Sequence, residues 1–497
     1  MNEEEKFMSN HKFPVKSQVE EFRTRGYAND DILPKTEEKR NMSWVNYFTL
    51  WMGSVHNIPN YAAVAGFFVL LAPIHVVIAL ILSGLAVATL MTVNGRAGTK
   101  YGIPFSMHLR ATYGATGSKL PGVLRGMVAA IAWFGVQCAT GASALLILIS
   151  KIWPGFAEIG GGAEFLGLSA PGWICFVLFW LLNVAIGIGG GGVLNRFTAI
   201  LSPIIYIVFG AMAVWAVINA GGIGKIFSFD YAGADYGSRN MIFVYLMVIA
   251  SVMAVWAAPG ASVADFTQNA KSQEDQVKGQ YLSLFVGYAI FGLMAVCILG
   301  GGAIIYGLPE NFADANQGGV LYIINNWDSV PAAVVSLGVF LFTTISTNAT
   351  GNIIPASYQL TALFPKHVNY RRGVIIASII AFAILPWNLS GGILEFLGII
   401  GALLGPVAGV MVADYYVVKK QEIDLDKLYA SEEDLKDPSN PYYGTNMMAY
   451  VATIVGLIFS LSGNFISALS AVSEISWIVG FGVAFGLYVI LPKKKVQ

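Results

Sequence analysis

In "AAIAWFGVQCATGASA", Trp133 and Gln137 stand four residues apart, so on a helix they project from one face. An indole offers a rigid π-surface and a primary amide offers both a donor and an acceptor, a pairing that suits a flat, amide-bearing heterocycle. Trp256 adds a second indole just before "AAPG". "STNATGNIIP" adds Ser346, Thr347, Asn348 and Asn352, the two asparagines again four apart. Asn57, beside His56, Pro59 and Asn60 in "WMGSVHNIPNY", places another amide in an otherwise apolar run. This is binding chemistry. Catalysis would need a nucleophile with its base, or a metal cluster, and neither is legible in the chain. Cys138, Cys175 and Cys297 have neither metal spacing nor a disulfide pattern and read as small packing residues.

The elements that must position these groups are membrane helices. With 56% hydrophobic and 12% charged residues and a mean hydropathy of +0.64, the 497-residue chain has the composition of a polytopic membrane protein. About twelve runs approach the ~20 apolar residues that a span needs. They fall near 44–70, 73–93, 121–150, 171–189, 197–219, 241–262, 281–306, 330–355, 373–387, 390–414, 446–464 and 472–492. Residues 1–43 are polar, without the apolar core of a cleavable signal, and read as a partly disordered cytoplasmic tail. Residues 415–445 read as a charged cytoplasmic loop between ten spans and the last two, and 493–497 as a short cytoplasmic tail. Twelve spans put both termini on one side. That side carries 26 of the 29 Lys and Arg residues, the other only Lys151, Lys225 and Arg239, so the positive-inside rule places both termini in the cytoplasm. A net charge of zero hides that asymmetry and gives no sign of nucleic-acid binding.

Two of the spans are interrupted, the first at Asn57-Ile58-Pro59-Asn60 and the sixth at Pro259-Gly260, five helices apart. Matched interruptions in two halves point to a five-plus-five inverted repeat, here about 44–219 and 241–414, with a binding site at the bilayer midplane. Unwound backbone is tolerated at that depth only where protein or a polar cavity satisfies its freed groups. No Asp or Glu falls deep in the ten-helix core; Asp265, Glu395 and Asp414 lie near span ends. A neutral ligand is therefore expected. A coupling cation would have to be held by carbonyls of the first break and hydroxyls of Ser346 and Thr347, ligands that suit Na⁺, while His56 leaves proton coupling open. "GIGGGG" has the spacing of a dinucleotide-binding loop but closes a membrane helix, and reads as close packing and a turn.

"WMGSVHNIPNY", "AGTKYGIPF", "WFGVQ", "STNATGNIIPASYQL", "FPKHVNYRRG", "LPWNL" and "LGPVAGVMVADYYVV" together resemble the nucleobase-cation symporter-1 family over nearly the whole membrane region. The likeness is greatest to its bacterial allantoin-permease branch and extends to the hydantoin permease. It implies an all-α membrane protein of twelve helices, the leucine-transporter-type fold with two added C-terminal helices, in the inner membrane. The implied activity is cation-coupled import of a neutral ring by alternating access, allantoin first, with hydantoin or a uracil, cytosine or purine base as the alternative. The family's stacking tryptophans match Trp133 and Trp256, and its ring-binding amides match Gln137, Asn352 and Asn57; the hydantoin permease has Gln where this chain has the shorter Asn57. Its sodium site would use the carbonyls of Gly53, His56 and Thr343 with the hydroxyls of Ser346 and Thr347, although other members use protons.

Overall fold

The computed structural model describes residues 13–27, 29–230, 239–307, 312, 318–390 and 393–492, so residues 1–12 of the expected N-terminal tail and the whole expected C-terminal tail, 493–497, lie outside the described residues. In chain order the principal helices are α1 (Lys16–Thr24), α2 (Trp44–Val55), α3 (Ile58–Phe67), α4 (Pro73–Tyr101), α5 (Lys119–Ile152), α6 (Ala170–Asn219), α7 (Met241–Val255), α8 (Ala257–Ala261), α9 (Gln273–Tyr306), α10 (Val330–Leu363), α11 (Tyr370–Ala383), α12 (Ile393–Ala413), α13 (Met447–Phe465) and α14 (Ser476–Ile490). Glu164–Phe165 and Leu168–Ser169 pair as a short antiparallel hairpin before α6. Among the described residues seven helices are long and apolar enough to cross a bilayer, and an eighth span results if the pair Ser467–Glu474 and Ser476–Ile490, bent by 90°, is one crossing. Ile200, Ile204, Ile207, Val214 and Ile218, at helical spacing on α6, are all exposed, an apolar stripe of the kind that faces lipid.

The expected division between the runs 171–189 and 197–219 is a kink within α6: two helical stretches meet at Gly190 (φ 68°, ψ −168°), a positive-φ conformation that glycine reaches at no steric cost. The run 472–492 bends before Ser476. Finally, α5 and α10 contain π turns at Leu124–Ala129 and Ala349–Ile353, which one-residue periodicity arguments do not reveal. These two helices press together closely. A Cβ at Gly126 would lie 2.4 Å from the Gln359 side chain, so any larger residue there would push α5 away from α10.

The described part of the expected N-terminal tail, 13–27 and 29–43, is packed against the rest of the chain. Phe22 stacks on Tyr429 with ring centroids 4.7 Å apart, and the Tyr429 hydroxyl donates to the Ile32 carbonyl at 2.7 Å. Tyr27 donates to the Ala430 carbonyl at 2.9 Å, and Arg110 donates to the Tyr27 hydroxyl at 2.6 Å. Composition reads this segment as polar because only a few aromatic and aliphatic residues, spaced to one face, do the burying. Losing the stack and the area it covers costs about 2–3 kcal/mol. Tyr429→Ala is therefore expected to release the segment, seen as faster trypsin cleavage at Arg23 and Arg25 while the membrane helices keep their melting temperature.

Candidate functional site

The first interrupted span is α2 and α3. Helix α2 stops at Val55, His56 leaves the helical region (φ −91°, ψ 57°), and Asn57 (φ −110°, ψ 160°) caps α3. Asn57 Oδ1 accepts from the Asn60 amide at 3.0 Å, while its Nδ2 donates to the Ser54 carbonyl at 2.8 Å. Asn60 Nδ2 donates in turn to the Val55 carbonyl at 2.7 Å. Pro59 is not itself the interruption. It is the second residue of α3, where the N–H it lacks would have no helical partner. The sixth span behaves alike: α7 ends at Trp256 (φ −89°, ψ 1°), α8 follows, and the chain bends again at Ser262. Pro259 sits in the first turn of α8, not at the break as its sequence position implied.

Between the breaks lies one cavity, and Asn57, Trp133, Gln137, Trp256 and Asn352 all stand on its wall. None is more than 4% exposed, whereas Val255, Pro259 and Thr347 on the same wall are half-buried. Trp256 is held by its Nε1, which donates to the Tyr288 hydroxyl at 2.6 Å. Gln137 makes no side-chain hydrogen bond to a described residue, and its Oε1 is a buried acceptor left open. Asn57, by contrast, spends both ends of its amide on the break. Trp51 completes the wall and meets Trp256 edge-on, with centroids 5.9 Å apart. Sequence reasoning passed over Trp51, which has no amide neighbour four residues away to mark its face. Ser54, Asn60 and Thr347 also line the space. No Asp, Glu, Lys or Arg does so among the described residues, which suits an uncharged ligand.

Of the expected cation ligands, Thr347 is on the cavity wall, and Gly53, His56, Thr343 and Ser346 do not line it. Ser346 Oγ is buried without a partner, 3.6 Å from where a Cβ on Gly53 would lie. Thr347 Oγ1 donates to the Thr343 carbonyl at 2.9 Å. Of the carbonyls released at the end of α2, those of Ser54 and Val55 are taken by the two asparagines. Those of Gly53 and His56 receive no hydrogen bond from a described residue. The His56 ring is boxed by Tyr61, Tyr206, Phe209 and Phe291, with Nδ1 3.3 Å from the Tyr61 hydroxyl. No group of three or more His, Cys, Asp or Glu side chains gathers among the described residues.

Arg125, counted from sequence with the cytoplasmic loop charges, is instead fully buried within α5. Its Nε donates to Ser262 Oγ at 3.0 Å and its Nη2 to the Gly351 carbonyl at 2.8 Å. It thus ties α5 to the second bend after α8 and to the π turn of α10, next to the cavity residues Pro259 and Gly351. Asp265, also buried, opposes its charge and accepts from the Phe105 amide at 2.9 Å.

Residues 34–480 match the model of the family described as permeases for cytosine/purines, uracil, thiamine and allantoin. The chain belongs to this family. It is 52% identical over 477 residues to a candidate allantoin permease of Escherichia coli (strain K12), covering 95% of this chain and 96% of that one. It is 35% identical to an allantoin permease of Bacillus subtilis (strain 168), covering 94% and 93%. The fold is that of Mhp1, a nucleobase-cation-symport-1 family transporter solved closed with bromovinylhydantoin bound. That match has a TM-score of 0.74 at 21% identity and covers 93% of this chain and 95% of Mhp1. The resemblance seen in the sequence motifs is therefore correct. This permease is a multi-pass membrane protein that moves its ligand rather than transforming it.

Proposed function

We propose that this permease imports a neutral cyclic ureide, allantoin, across the inner membrane by alternating access coupled to sodium. The observation that carries the reading is the cavity at two helix breaks, which gathers the Trp133 and Trp256 indoles with the Gln137 and Asn352 amides and, among the described residues, no charged side chain. The two named allantoin permeases support the choice of ring. The indoles grip the flat faces and the amides read the N–H and C=O edge, so affinity comes from the former and selectivity from the latter. Twelve spans, a five-plus-five repeat at 44–219 and 241–414, and cytoplasmic termini complete the proposed architecture. Competition of labelled allantoin uptake into proteoliposomes by hydantoin, uracil, cytosine, adenine and thiamine, with and without sodium, tests it. Uptake that allantoin itself does not saturate would reject the reading.

The donor set at α2 and α10 suits sodium: the free carbonyls of Gly53 and His56, the unpartnered Ser346 hydroxyl, and the Thr343 carbonyl with the Thr347 hydroxyl, all oxygen and none charged. A cation bridging the broken helix and α10 would stabilise the conformation in which they are close, and so couple transport to its gradient. The aromatic enclosure of His56, away from the cavity wall, favours sodium over a proton carried by that ring. Ser346→Ala is expected to raise the sodium concentration for half-maximal uptake about tenfold, the loss of one ligand at ~1.4 kcal/mol, with Thr347→Ala moving it the same way. Uptake driven equally well by a proton gradient without sodium would refute the assignment.

A further inference from the structure

The Asn352 amide is the end of a chain of three buried asparagines. Asn183, on α6, donates from Nδ2 to the Phe179 carbonyl at 2.8 Å. Asn348, on α10, donates from Nδ2 to Asn183 Oδ1 at 3.0 Å and to the Phe134 carbonyl at 3.2 Å. Asn352 donates from Nδ2 to Asn348 Oδ1 at 2.9 Å. Neither Asn183 nor Asn348 lines the cavity. A backbone carbonyl can only accept, so Phe179 and Phe134 fix which end of each of the first two amides is the NH₂ end. Asn183 must then turn its oxygen to Asn348, and Asn348 must turn its oxygen to Asn352. Asn352 has one orientation left, with its NH₂ facing away from the cavity and its carbonyl oxygen on the wall. Reversing it would set oxygen against oxygen in a dry interior and strand a buried acceptor.

We propose that Asn183 and Asn348 are positioning residues that set the polarity of the binding site. Through them Asn352 turns its carbonyl oxygen to the ligand, and the ligand meets that acceptor with a ring N–H. This deepens, and rests on, the reading that the cavity holds a cyclic ureide. Such rings carry N–H groups next to their carbonyls, and the open Gln137 Oε1 adds a second acceptor for them. A ring that brings an oxygen or an alkylated nitrogen to Asn352 leaves that acceptor unpaired.

The test uses the purified full chain and three rings: hydantoin, oxazolidine-2,4-dione, in which oxygen replaces N1–H, and 3-methylhydantoin, in which N3–H is capped. The wild type is expected to bind one analogue at least tenfold more weakly than hydantoin, which marks the nitrogen facing Asn352. Asn348→Leu frees the Asn352 amide to turn, and should reduce that ratio to less than threefold; Asn183→Leu, one link further back, should shift it in the same direction by less and serves if Asn348→Leu does not fold. A purely structural role would weaken all three rings by a common factor, and unchanged ratios would overturn the proposal. A wild type that binds none of the rings would instead end the ureide reading. The relay is then decided without ligand by melting temperatures of Asn348→Leu, Asn352→Leu and the double variant: a double loss smaller than the sum upholds it, and additive losses overturn it.

Discussion

Gln137→Leu is expected to insert and fold as the wild type does and to take up allantoin at least about a hundredfold more slowly. The reason lies in which amides have anything left to give. Asn57 caps α3 with its oxygen and holds the Ser54 carbonyl with its nitrogen, and Asn352 has its nitrogen held by Asn348. Gln137 alone of the three keeps both ends of its amide free of described partners on the wall of the cavity. Replacing it strands a donor and an acceptor of the bound ring against a buried wall, at ~1–3 kcal/mol for each group left unpaired. Two such losses amount to about two orders of magnitude or more. The fold has little to lose, because Gln137 supports no other side chain. Initial rates in proteoliposomes, matched for protein amount and melting temperature, provide the measurement. A variant that transports at the wild-type rate would remove Gln137 from the site and, with it, the case for this cavity.

The same comparison shows what the sequence could and could not disclose. Trp133 with Gln137 and Asn348 with Asn352 were legible because each pair sits four apart in an apolar run, where a polar or amphipathic face has no reason to exist except to meet something. The interruptions were legible as regions but not as residues. Proline marks them in the sequence, yet Asn57 and Trp256 make them, with each proline tucked into the first turn that follows. Of the neighbours Ser346 and Thr347, which point about 100° apart on a helix, Thr347 lines the cavity and Ser346 does not. Asn183 and Trp51 left no periodic trace. A lone amide or indole in a hydrophobic span is indistinguishable from packing until the partner helix is known, and their partners are 165 and 205 residues away. The fold itself was carried by a stronger signal, the run of apolar stretches, and by motif resemblance over most of the chain.

Arg125 was hidden for a different reason: it lies at the start of a span, where a positive charge reads as one of the loop charges, and only the inward turn of α5 makes it a core residue. Arg125→Met is expected to lower stability by about 3–5 kcal/mol, the cost of breaking a buried charge arrangement by removing one side of it. Three groups lose their partner together. The Gly351 carbonyl loses its donor at the π turn, Ser262 loses the guanidinium that pins the second bend, and the buried Asp265 carboxyl loses the charge that opposes it. If the last of these dominates, Asp265→Asn in the same chain restores part of the loss, since the neutral amide can be buried at far less expense. Melting temperature in detergent measures both. Because the guanidinium spans α5, α10 and the end of the sixth span, its removal should also let the cavity open, visible as faster alkylation of Cys138, which now lies buried beside Asn348. A single variant with wild-type stability and an unreactive Cys138 would show that the arginine holds nothing together.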